Sequence, residues 1–436
     1  MVIRFIFCLS FVLCSAELAA QAFSWQVQTR ADMPEAVANN AVAGATVNGE
    51  SYAYSFAGID SNRNYTGIHL KAWRYRLGTD SWESIASLPD TLGKVAAAAS
   101  TVDNKIYIIG GYHVFANGSE LSSDRVHIYD PESNQYLPDG AAVPIAIDDQ
   151  AQAVWRDSLI YVISGWSNTT NVPNVQIYDP SLDQWSVGTS VPDNGDFKVF
   201  GGSGVIIGDT IYYVGGARIG PDFPLENVFR IGIINPQQPT QITWSSFDHP
   251  LALTYRTAAF AHQGSVIWAG GAGVSYNYNG FGYNGSGPVV PYDRMVNYYV
   301  PSQSIFELSD TIPPIMDIRG VAQLNDDQFM ILGGMAAGPN VSQQVLLLSS
   351  NNPSTHIRDE IEFPFTIRQE HKHLYIDVPL GNDYQIQILT LNGQIVRRKK
   401  ATQGEQHIAL AGFASGTYFL RIVDGGRMYS QIIVLP

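Results

Sequence analysis

Short apolar runs that end in glycine recur along the chain, and each predicts a β-strand. The clearest copy is KIYIIGG at 105–111, and the others are YAYSFAG at 52–58, LIYVISG at 159–165, TIYYVGG at 210–216, VIWAGG at 266–271 and FMILGG at 329–334. Successive final glycines are 53, 54, 51, 55 and 63 residues apart. Six copies at a near-constant interval predict a repeat array instead of a set of unrelated strands.

Each period carries signals for four strands. A strand of small residues, such as VAAAASTV at 95–102, precedes the glycine run, and a tight turn such as Asn48-Gly49 joins the two. A third strand ends in IYDP at 128–131 and again at 177–180, where proline prevents its extension. The fourth strand opens on an aromatic residue, which is Trp82, Tyr136, Trp185, Trp244 or Phe306. Four antiparallel strands in about 50 residues are typical of a propeller blade.

The glycine pair, the Tyr-Asp-Pro strand end and the spaced tryptophan together resemble the kelch family over roughly residues 23–350. The resemblance implies a six-bladed β-propeller. The last repeat lacks its aromatic fourth strand, and the missing pattern appears at Trp25 and Pro34. We therefore expect the N-terminal strand to complete blade six, which removes the free edges of the ring. The glycines have a structural interpretation, because a phosphate-binding loop would need a helix after it.

The composition and the first residues predict export. The chain has 436 residues and a formal net charge of −14, which disfavours a general affinity for nucleic acid or anionic membrane. Residues 1–22 combine Arg4, a short apolar run and small residues at Ala20 and Ala22, the pattern of a secretory signal peptide. The alternative, a transmembrane anchor, needs about 20 apolar residues. We expect a secreted or cell-surface protein without a transmembrane segment.

Removal of that peptide would take both cysteines with it. Cys8 and Cys14 are the two cysteines of the chain, so the mature protein is expected to have no disulfide and no thiolate metal site. Galactose oxidase-like kelch proteins use copper and a tyrosine cross-linked to cysteine, and this chemistry is therefore excluded. The remaining residues show no compact metal-ligand spacing either. We expect neither a metal nor another cofactor.

The repeat pattern stops after residue 350, and a second domain is expected. Residues 351–358 are polar and predict a linker, and the alternating apolar runs of 359–436 predict a small β-sandwich with hairpins at Asn392-Gly393 and Gly425-Gly426. The segments NPST at 352–355, LNGQ at 391–394 and FASGTYFLRI at 413–422 resemble the C-terminal sorting domain of the bacterial type IX secretion pathway. The resemblance implies contact with secretion machinery and export. The alternative is an ordinary accessory domain.

The long connections of the predicted blades fall on one face of the ring. In an up-and-down blade, the loops between the second and third strands and the links to the next blade emerge on the same side. The long loops are 59–69, 112–124, 166–174, 217–227, 272–294 and 335–343. Ligand sites are commonly found on long loops held by a rigid scaffold.

Several residues of this face are candidates for ligand contact. Arg256 and Arg319 begin first strands, and an arginine fork suits a carboxylate or a sulfate. The alternative for both is an ion pair with Asp317 or Asp196 that organises the rim. The blade-five loop, YNYNGFGYNGSG at 276–287, mixes aromatic rings with amides as sugar sites do, although its rings could instead cap the channel. The ligand-binding candidates are His113, Asp149, Trp166, Lys198, Tyr255, Arg256, Tyr276, Tyr278, Tyr283 and Arg319; for His113 a structural role is favoured over a catalytic one.

The sequence favours a binding protein for a glycan or an extracellular protein. An enzyme is the alternative, because the chain also resembles the sialic-acid mutarotase family in blade count and N-terminal closure. That family carries a glutamate, with an arginine six residues later, just after the glycine strand of blade four. Here the loop GGARIGPDFPLEN supplies Arg218 and Glu226 in reversed order, eight residues apart. These two residues are the catalytic candidates, and whether the protein is an enzyme stays open.

Overall fold

The computed structural model describes residues 24–351, 365–370, 373–378, 384–390, 395–401, 404–424 and 427–435. The chain folds into two compact units, Met1–Ser354 and Thr355–Pro436. The expected signal peptide and nearly all of the expected linker lie outside the described residues, as do both predicted hairpin turns of the tail. The domain boundaries proposed from the sequence therefore stay predictions.

The first unit is a propeller of six antiparallel sheets within its described residues; five have four strands, and that of blade two has the short strand Glu120–Ser122 in addition to its four. From the inner to the outer strand, blade one contains Ala41–Val47, Glu50–Ile59, Ile68–Arg76 and Ser81–Ile85, and blade two contains Val95–Val102, Lys105–Val114, Val126–Asp130 and Gln135–Tyr136. Blade three contains Ala151–Trp155, Leu159–Ile163, Val175–Asp179 and Gln184–Gly188, and blade four contains Phe200–Ile207, Thr210–Ala217, Val228–Asn235 and Gln238–Asp248. Blade five contains Ala258–His262, Ser265–Ala269, Met295–Tyr299 and Ser304–Glu307, and blade six contains Ala322–Asn325, Gln328–Leu332, Val345–Ser350 and Trp25–Thr29.

Short elements decorate this ring. They are the strands Glu120–Ser122, Trp166–Ser167, Thr170–Asn171, Met335–Ala336 and Asn340–Val341, and the 3₁₀ turns Tyr65–Gly67, Leu77–Thr79 and Pro250–Ala252. Most of the short strands belong to the connections between second and third strands. The first strands of neighbouring blades pack against one another, so they surround the axis.

The N-terminal strand closes the ring, as the sequence predicted. Trp25–Thr29 pairs antiparallel with Val345–Ser350 and so forms the outer strand of blade six. Trp25 is 3% exposed, and its ring packs edge-on against Phe260 of blade five at 5.4 Å and Phe329 of blade six at 5.9 Å. The apolar core accordingly lies between adjacent blades, where each sheet covers the face of the next.

The glycine pairs stand where two consecutive residues adopt left-handed backbone. Gly215 and Gly216 have φ of 69° and 87°. A Cβ on Gly215 would lie 2.3 Å from the carbonyl oxygen of Thr254, and one on Gly216 would lie 2.9 Å from that of Phe200. Both the positive φ and the close backbone contact exclude a side chain here. The structural interpretation of the pairs is confirmed.

The second unit is a two-sheet β domain. One sheet contains Thr366–Glu370, His373–Val378 and Gly404–Ala409, and the other contains Ile395–Ala401, Tyr384–Thr390, Gly416–Asp424 and Arg427–Leu435. Buried residues of both sheets, such as Ile376 and Ile386, share one core. This arrangement agrees with the predicted sandwich. In the part of the chain that the structure describes, no helix has the length and apolarity needed to cross a membrane.

Candidate functional site

A ring of left-handed residues surrounds the propeller axis where the first strands begin on the long-loop face. One residue of each blade contributes: Asn39, Ala96, Asp149, Gly201, Arg256 and Asp317, with φ between 45° and 70°. Their backbones are linked from blade to blade. For example, Gly201 N–H donates to the carbonyl of Asp149 at 2.7 Å, and Arg256 N–H donates to that of Gly201 at 2.9 Å. We call these six residues the axial ring.

Arg256 joins two carboxylates of this ring. Its Nε and Nη2 donate to Asp149 Oδ1 and Oδ2 at 3.0 and 2.5 Å, and its Nη1 donates to Asp317 Oδ1 at 3.0 Å. Arg256 is 1% exposed, and Asp149 and Asp317 are 2% and 0% exposed. Arg319 Nη1 lies 3.7 Å from Asp149 Oδ1, and its Nη2 donates to the Gln150 carbonyl at 2.9 Å. The pairing of Arg256 with Asp317 that the sequence offered as an alternative is therefore formed.

Burial and these ion pairs have opposite effects on the pKa values of Arg256 and Asp317. Burial disfavours the charged form of Arg256, but the facing carboxylates, Asp149 foremost, raise its pKa well above the ordinary value. For Asp317, burial outweighs the nearby Arg256 and raises the pKa to about 6. Burial and the neighbouring Asp149 raise the pKa of Asp148 well above its ordinary range. Burial and the neighbouring Asp149 therefore favour the neutral form of Asp148.

A cavity of roughly 140 Å³ opens next to the axial ring on the long-loop face. We call it the loop-face cavity. Residues of blades two to five line it: Tyr112, Glu120, Asp148, Asp149, Trp166, Phe200, Phe223, Arg256, Asn277 and Tyr283. Most of them come from the long connections and the starts of first strands. This is the face on which the sequence placed a ligand site.

One side of the cavity is a continuous wall of aromatic rings. Phe200 lies at its centre, with its ring centroid 5.4 Å from Trp166 and 5.5 Å from Phe223. Tyr283 continues the wall at 4.9 Å from Phe223. The contacts are edge-to-face, the arrangement that aromatic rings favour. The rings come from three blades, so the wall is fixed by their relative positions.

Carboxyl groups supply the polar side. Asp148 and Trp166 exchange two backbone hydrogen bonds of 2.9 Å, which fix the acid beside the wall. Ser122 Oγ donates to Asp148 Oδ2 at 2.6 Å and itself accepts from Asn168 N–H at 2.8 Å. Asp148 is buried, whereas Glu120 is exposed at the solvent side of the cavity.

The blade-five loop crosses the face and covers the axis. Ser275 Oγ donates to the Phe223 carbonyl of blade four at 2.6 Å, and Arg63 of blade one donates to the Asn279 carbonyl at 3.3 Å. The aromatic residues of this loop do not form one platform. Tyr276 is fully buried and packs on Tyr255, whereas Phe281, on the outer side, is 42% exposed.

The structure brings four of the ten predicted ligand-binding residues together. Asp149, Trp166, Arg256 and Tyr283 line the loop-face cavity. Tyr255 and Tyr276 lie behind it, stacked around the Arg256 guanidinium with ring centroids 5.1 and 5.5 Å from its carbon. Tyr278 is half-buried in the same apolar cluster.

The other predicted residues lie elsewhere. Arg319 lines a second cavity of roughly 150 Å³, which is formed by the inner strands just beyond the axial ring. His113 is buried and its Nδ1 lies 2.9 Å from the Gly93 carbonyl, which fits the favoured structural role. Lys198 forms an ion pair with Asp193. The catalytic candidates Arg218 and Glu226 form an ion pair with each other and do not line the loop-face cavity.

Several residues of the cavity were missed from the sequence. They are Tyr112, Glu120, Phe200 and Phe223, whereas Asn277, which also lines the cavity, is one of the amides of the blade-five loop that the sequence indicated. For two of them a signal existed, because the second strand of blade two continues past its glycines to Val114 and pairs with Glu120–Ser122. Side chains alternate along such a hairpin, so Tyr112 shares a face with Ser122 and Glu120, whereas His113 points to the other face. Phe223 lies in a loop whose course no local pattern predicts.

Among the described residues, no group of three or more histidine, cysteine, aspartate or glutamate side chains is placed to hold a metal ion. The loop-face cavity combines aromatic surface, carboxyl groups and one amide. Such a site can stack on the apolar face of a small ligand and bind its hydroxyl or amino groups.

The fold and the sequence motifs together identify a propeller that carries kelch motifs. Kelch motifs match residues 94–137 and 156–192, and a secretion system C-terminal sorting domain matches residues 370–435. The chain is thus a six-bladed kelch propeller followed by a type IX sorting domain. The sorting domain implies interaction with the secretion machinery and export to the cell surface or secretion.

Known proteins support the propeller assignment. The chain is 26% identical to the Kelch-like protein terF of Aspergillus terreus over 213 residues, 46% of this chain and 43% of that protein. It is 29% identical to Beta-scruin of Limulus polyphemus over 163 residues, 36% of this chain and 16% of that protein. The chain thus spans less than half the length of these relatives. The solved structure of YjhT superimposes with a TM-score of 0.57 at 16% identity, covering 74% of this chain and 99% of that one, which shows a shared fold.

Proposed function

We propose that this protein is an exported propeller that binds a small glycan unit in the loop-face cavity. The observation that carries the proposal is the aromatic wall of Trp166, Phe200 and Phe223 facing the carboxyl groups of Asp148 and Glu120. A sugar ring presents apolar C–H faces and a rim of hydroxyls, so it needs both kinds of surface.

The size of the cavity fits this class of ligand. Its roughly 140 Å³ is about ten times the 10–15 Å³ that one water molecule needs, which suits a ligand of about a dozen non-hydrogen atoms, such as a monosaccharide. A longer glycan would place one terminal unit inside and continue over the exposed side at Glu120. An extracellular protein that carries such a glycan is a compatible partner.

The test is a glycan array with the full chain, followed by titration of each hit monitored by tryptophan fluorescence. The variant Trp166→Ala removes part of the wall and is expected to weaken binding about fivefold or more, since a stacked aromatic contributes about 1–3 kcal/mol. Trp185→Ala is the matched control, because Trp185 is a half-buried tryptophan in the outer strand of the same blade. No hit on the array, or equal binding by both variants, contradicts the proposal.

A mutarotase-like enzyme is the second candidate, and one observation favours it. Opening and reclosing a sugar ring needs a proton donor and a proton acceptor at the same ligand. Asp148, whose pKa burial raises, and Asp149, which is paired with Arg256, line the same cavity. This would assign the proton transfer to these two acids and not to Arg218 and Glu226.

The assay is exchange NMR of the anomers of a sialic acid and of a neutral hexose, with the wild type and Asp148→Asn. Exchange faster than in buffer that is lost in Asp148→Asn supports the enzyme. Exchange equal to that in buffer rules it out and leaves the binding function.

A further inference from the structure

Three of the five N–H groups of Arg256 are already donated to carboxylates inside the protein. Nε and Nη2 donate to Asp149, and Nη1 donates to Asp317, so each of the three guanidinium nitrogens faces a carboxylate. The guanidinium is also enclosed by the rings of Tyr255 and Tyr276. An acidic ligand would have to share this guanidinium with two buried carboxylates that already neutralise its charge. The cavity is therefore poorly suited to an anion.

In contrast to Arg256, the carboxyl groups of Asp148 and Glu120 have no partner of opposite charge within the described residues. Within the described residues, neither Asp148 nor Glu120 forms an ion pair, and the hydrogen bond to Asp148 comes from the Ser122 hydroxyl. A carboxylate can accept about four hydrogen bonds. Asp148 is 3% exposed and lines the cavity, so a ligand in the cavity is the group that can supply a positive charge to it.

The aromatic wall strengthens this preference. The faces and edges of Trp166, Phe200, Phe223 and Tyr283 surround the same space as the two acids. Aromatic faces attract a cation through their quadrupole, and the attraction increases when the cation is removed from water. Aromatic rings combined with unpaired carboxyl groups select an ammonium group over a neutral hydroxyl.

We infer that the ligand of the loop-face cavity carries a cationic amino group, as in an amino sugar, held between the aromatic wall and the carboxyl groups of Asp148 and Glu120. This inference rests on the proposed function, because it specifies the ligand of the same cavity. A bound ammonium group supplies the positive charge that no ion pair brings to Asp148 within the described residues of the free protein.

The experiment compares four hexoses that differ in one substituent: glucosamine, glucose, N-acetylglucosamine and glucuronate. Each is titrated into the full chain at neutral pH and followed by calorimetry, with the total tryptophan fluorescence, to which Trp166 in the cavity contributes, as a second signal. Glucosamine is expected to bind about tenfold or more tightly than glucose, because a hydrogen bond between charged groups is stronger than a neutral one. Glucuronate is expected to bind most weakly.

Three variants assign the preference. Asp148→Asn keeps the shape of the side chain but removes its ability to become a carboxylate, and it should bring the glucosamine-to-glucose ratio close to one. Glu120→Gln changes an exposed side chain, so it serves as a second variant whose folding is not at risk, and it should lower the ratio about threefold or more. Glu132→Gln makes the same charge change in an exposed turn outside the cavity and should preserve the ratio.

The possible outcomes separate the inference from the proposed function. Equal binding of glucose and glucosamine, or tightest binding of glucuronate, overturns the inference and leaves a glycan site if Trp166→Ala abolishes that binding. A preference for glucosamine that persists in both Asp148→Asn and Glu120→Gln also overturns it. The absence of binding by all four sugars, together with an array without hits, refutes the inference and the proposed function alike.

Discussion

Arg256 is the residue whose replacement gives the sharpest test of the axial ring. The substitution Arg256→Met keeps a long apolar stem but removes the cation between Asp149 and Asp317. All three side chains are at most 2% exposed, so water cannot replace the lost hydrogen bonds without rearrangement. Asp317 would remain buried without its paired cation, and Asp149 would keep only Arg319, whose Nη1 lies 3.7 Å from its Oδ1.

The expected magnitude follows from this burial. Removing one partner of a buried ion pair destabilises a protein by about 3–5 kcal/mol, because the other charge stays in the interior unpaired. An exposed ion pair contributes only about 0–1 kcal/mol. The pair of Arg156 with Asp209 is such a case, with Nη2–Oδ1 at 2.9 Å and the arginine side chain 53% exposed. Arg156→Met is therefore the matched control.

The assay is equilibrium unfolding in urea followed by tryptophan fluorescence. The eight tryptophans lie between Trp25 and Trp268, so the signal reports on the propeller and not on the sorting domain. Arg256→Met should lose about 3–5 kcal/mol of unfolding free energy and Arg156→Met less than about 1 kcal/mol. The loss in Arg256→Met should shrink at pH 5, where the unpaired carboxylates can take up protons. Equal small losses in both variants would refute the argument that this pair holds the ring.

Three further predictions concern the ring, the glycines and the closure. Burial raises the pKa of Asp317 in the folded protein to about 6 from 3.8, so the folded state holds this proton more tightly than the unfolded state does. The stabilisation that results at low pH is lost as the pH rises from about 4 to 6. Relative to Asp317→Asn, the wild type should lose about 3 kcal/mol of unfolding free energy across that window, measured by urea titration at each pH. Gly216→Ala should destabilise the protein by clearly more than Gly118→Ala. Both glycines have positive φ, which costs a residue with a side chain about 1–2 kcal/mol, but only at Gly216 would the new Cβ meet backbone, at 2.9 Å. Equal losses of unfolding free energy would contradict this close contact. Trp25→Ala should cost about 3–5 kcal/mol because a buried ring is removed from the closing seam, and an unchanged urea midpoint would show that the seam does not depend on it.

Much of the fold could be predicted because its signals are local and repeated. A glycine pair, a tight turn and an aromatic strand start are each weak, but six ordered copies define the blades. Closure followed from a missing strand at one end and an extra one at the other, and the pairing of Trp25–Thr29 with Val345–Ser350 confirms it. The long loops could be assigned to one face because strand direction alternates within a blade.

The candidate site was predicted only in part. Its face and four of its lining residues followed from the loop pattern, since first-strand starts and long loops meet there. The partners of Arg256 did not, because Asp149 is 107 residues away along the chain and Asp317 is 61. No local periodicity relates residues so distant in sequence.

The sequence by itself thus determined the number of blades, the closing strand, the position of the loops and the sorting domain, because each depends on short patterns that repeat or resemble known ones. Only the tertiary structure decided that Phe200, Phe223 and Trp166 meet as one wall and that Arg256 is occupied by two carboxylates. These contacts join different blades around an axis. The packing of the blades brings these residues together, and their spacing in the sequence does not predict which of them come into contact.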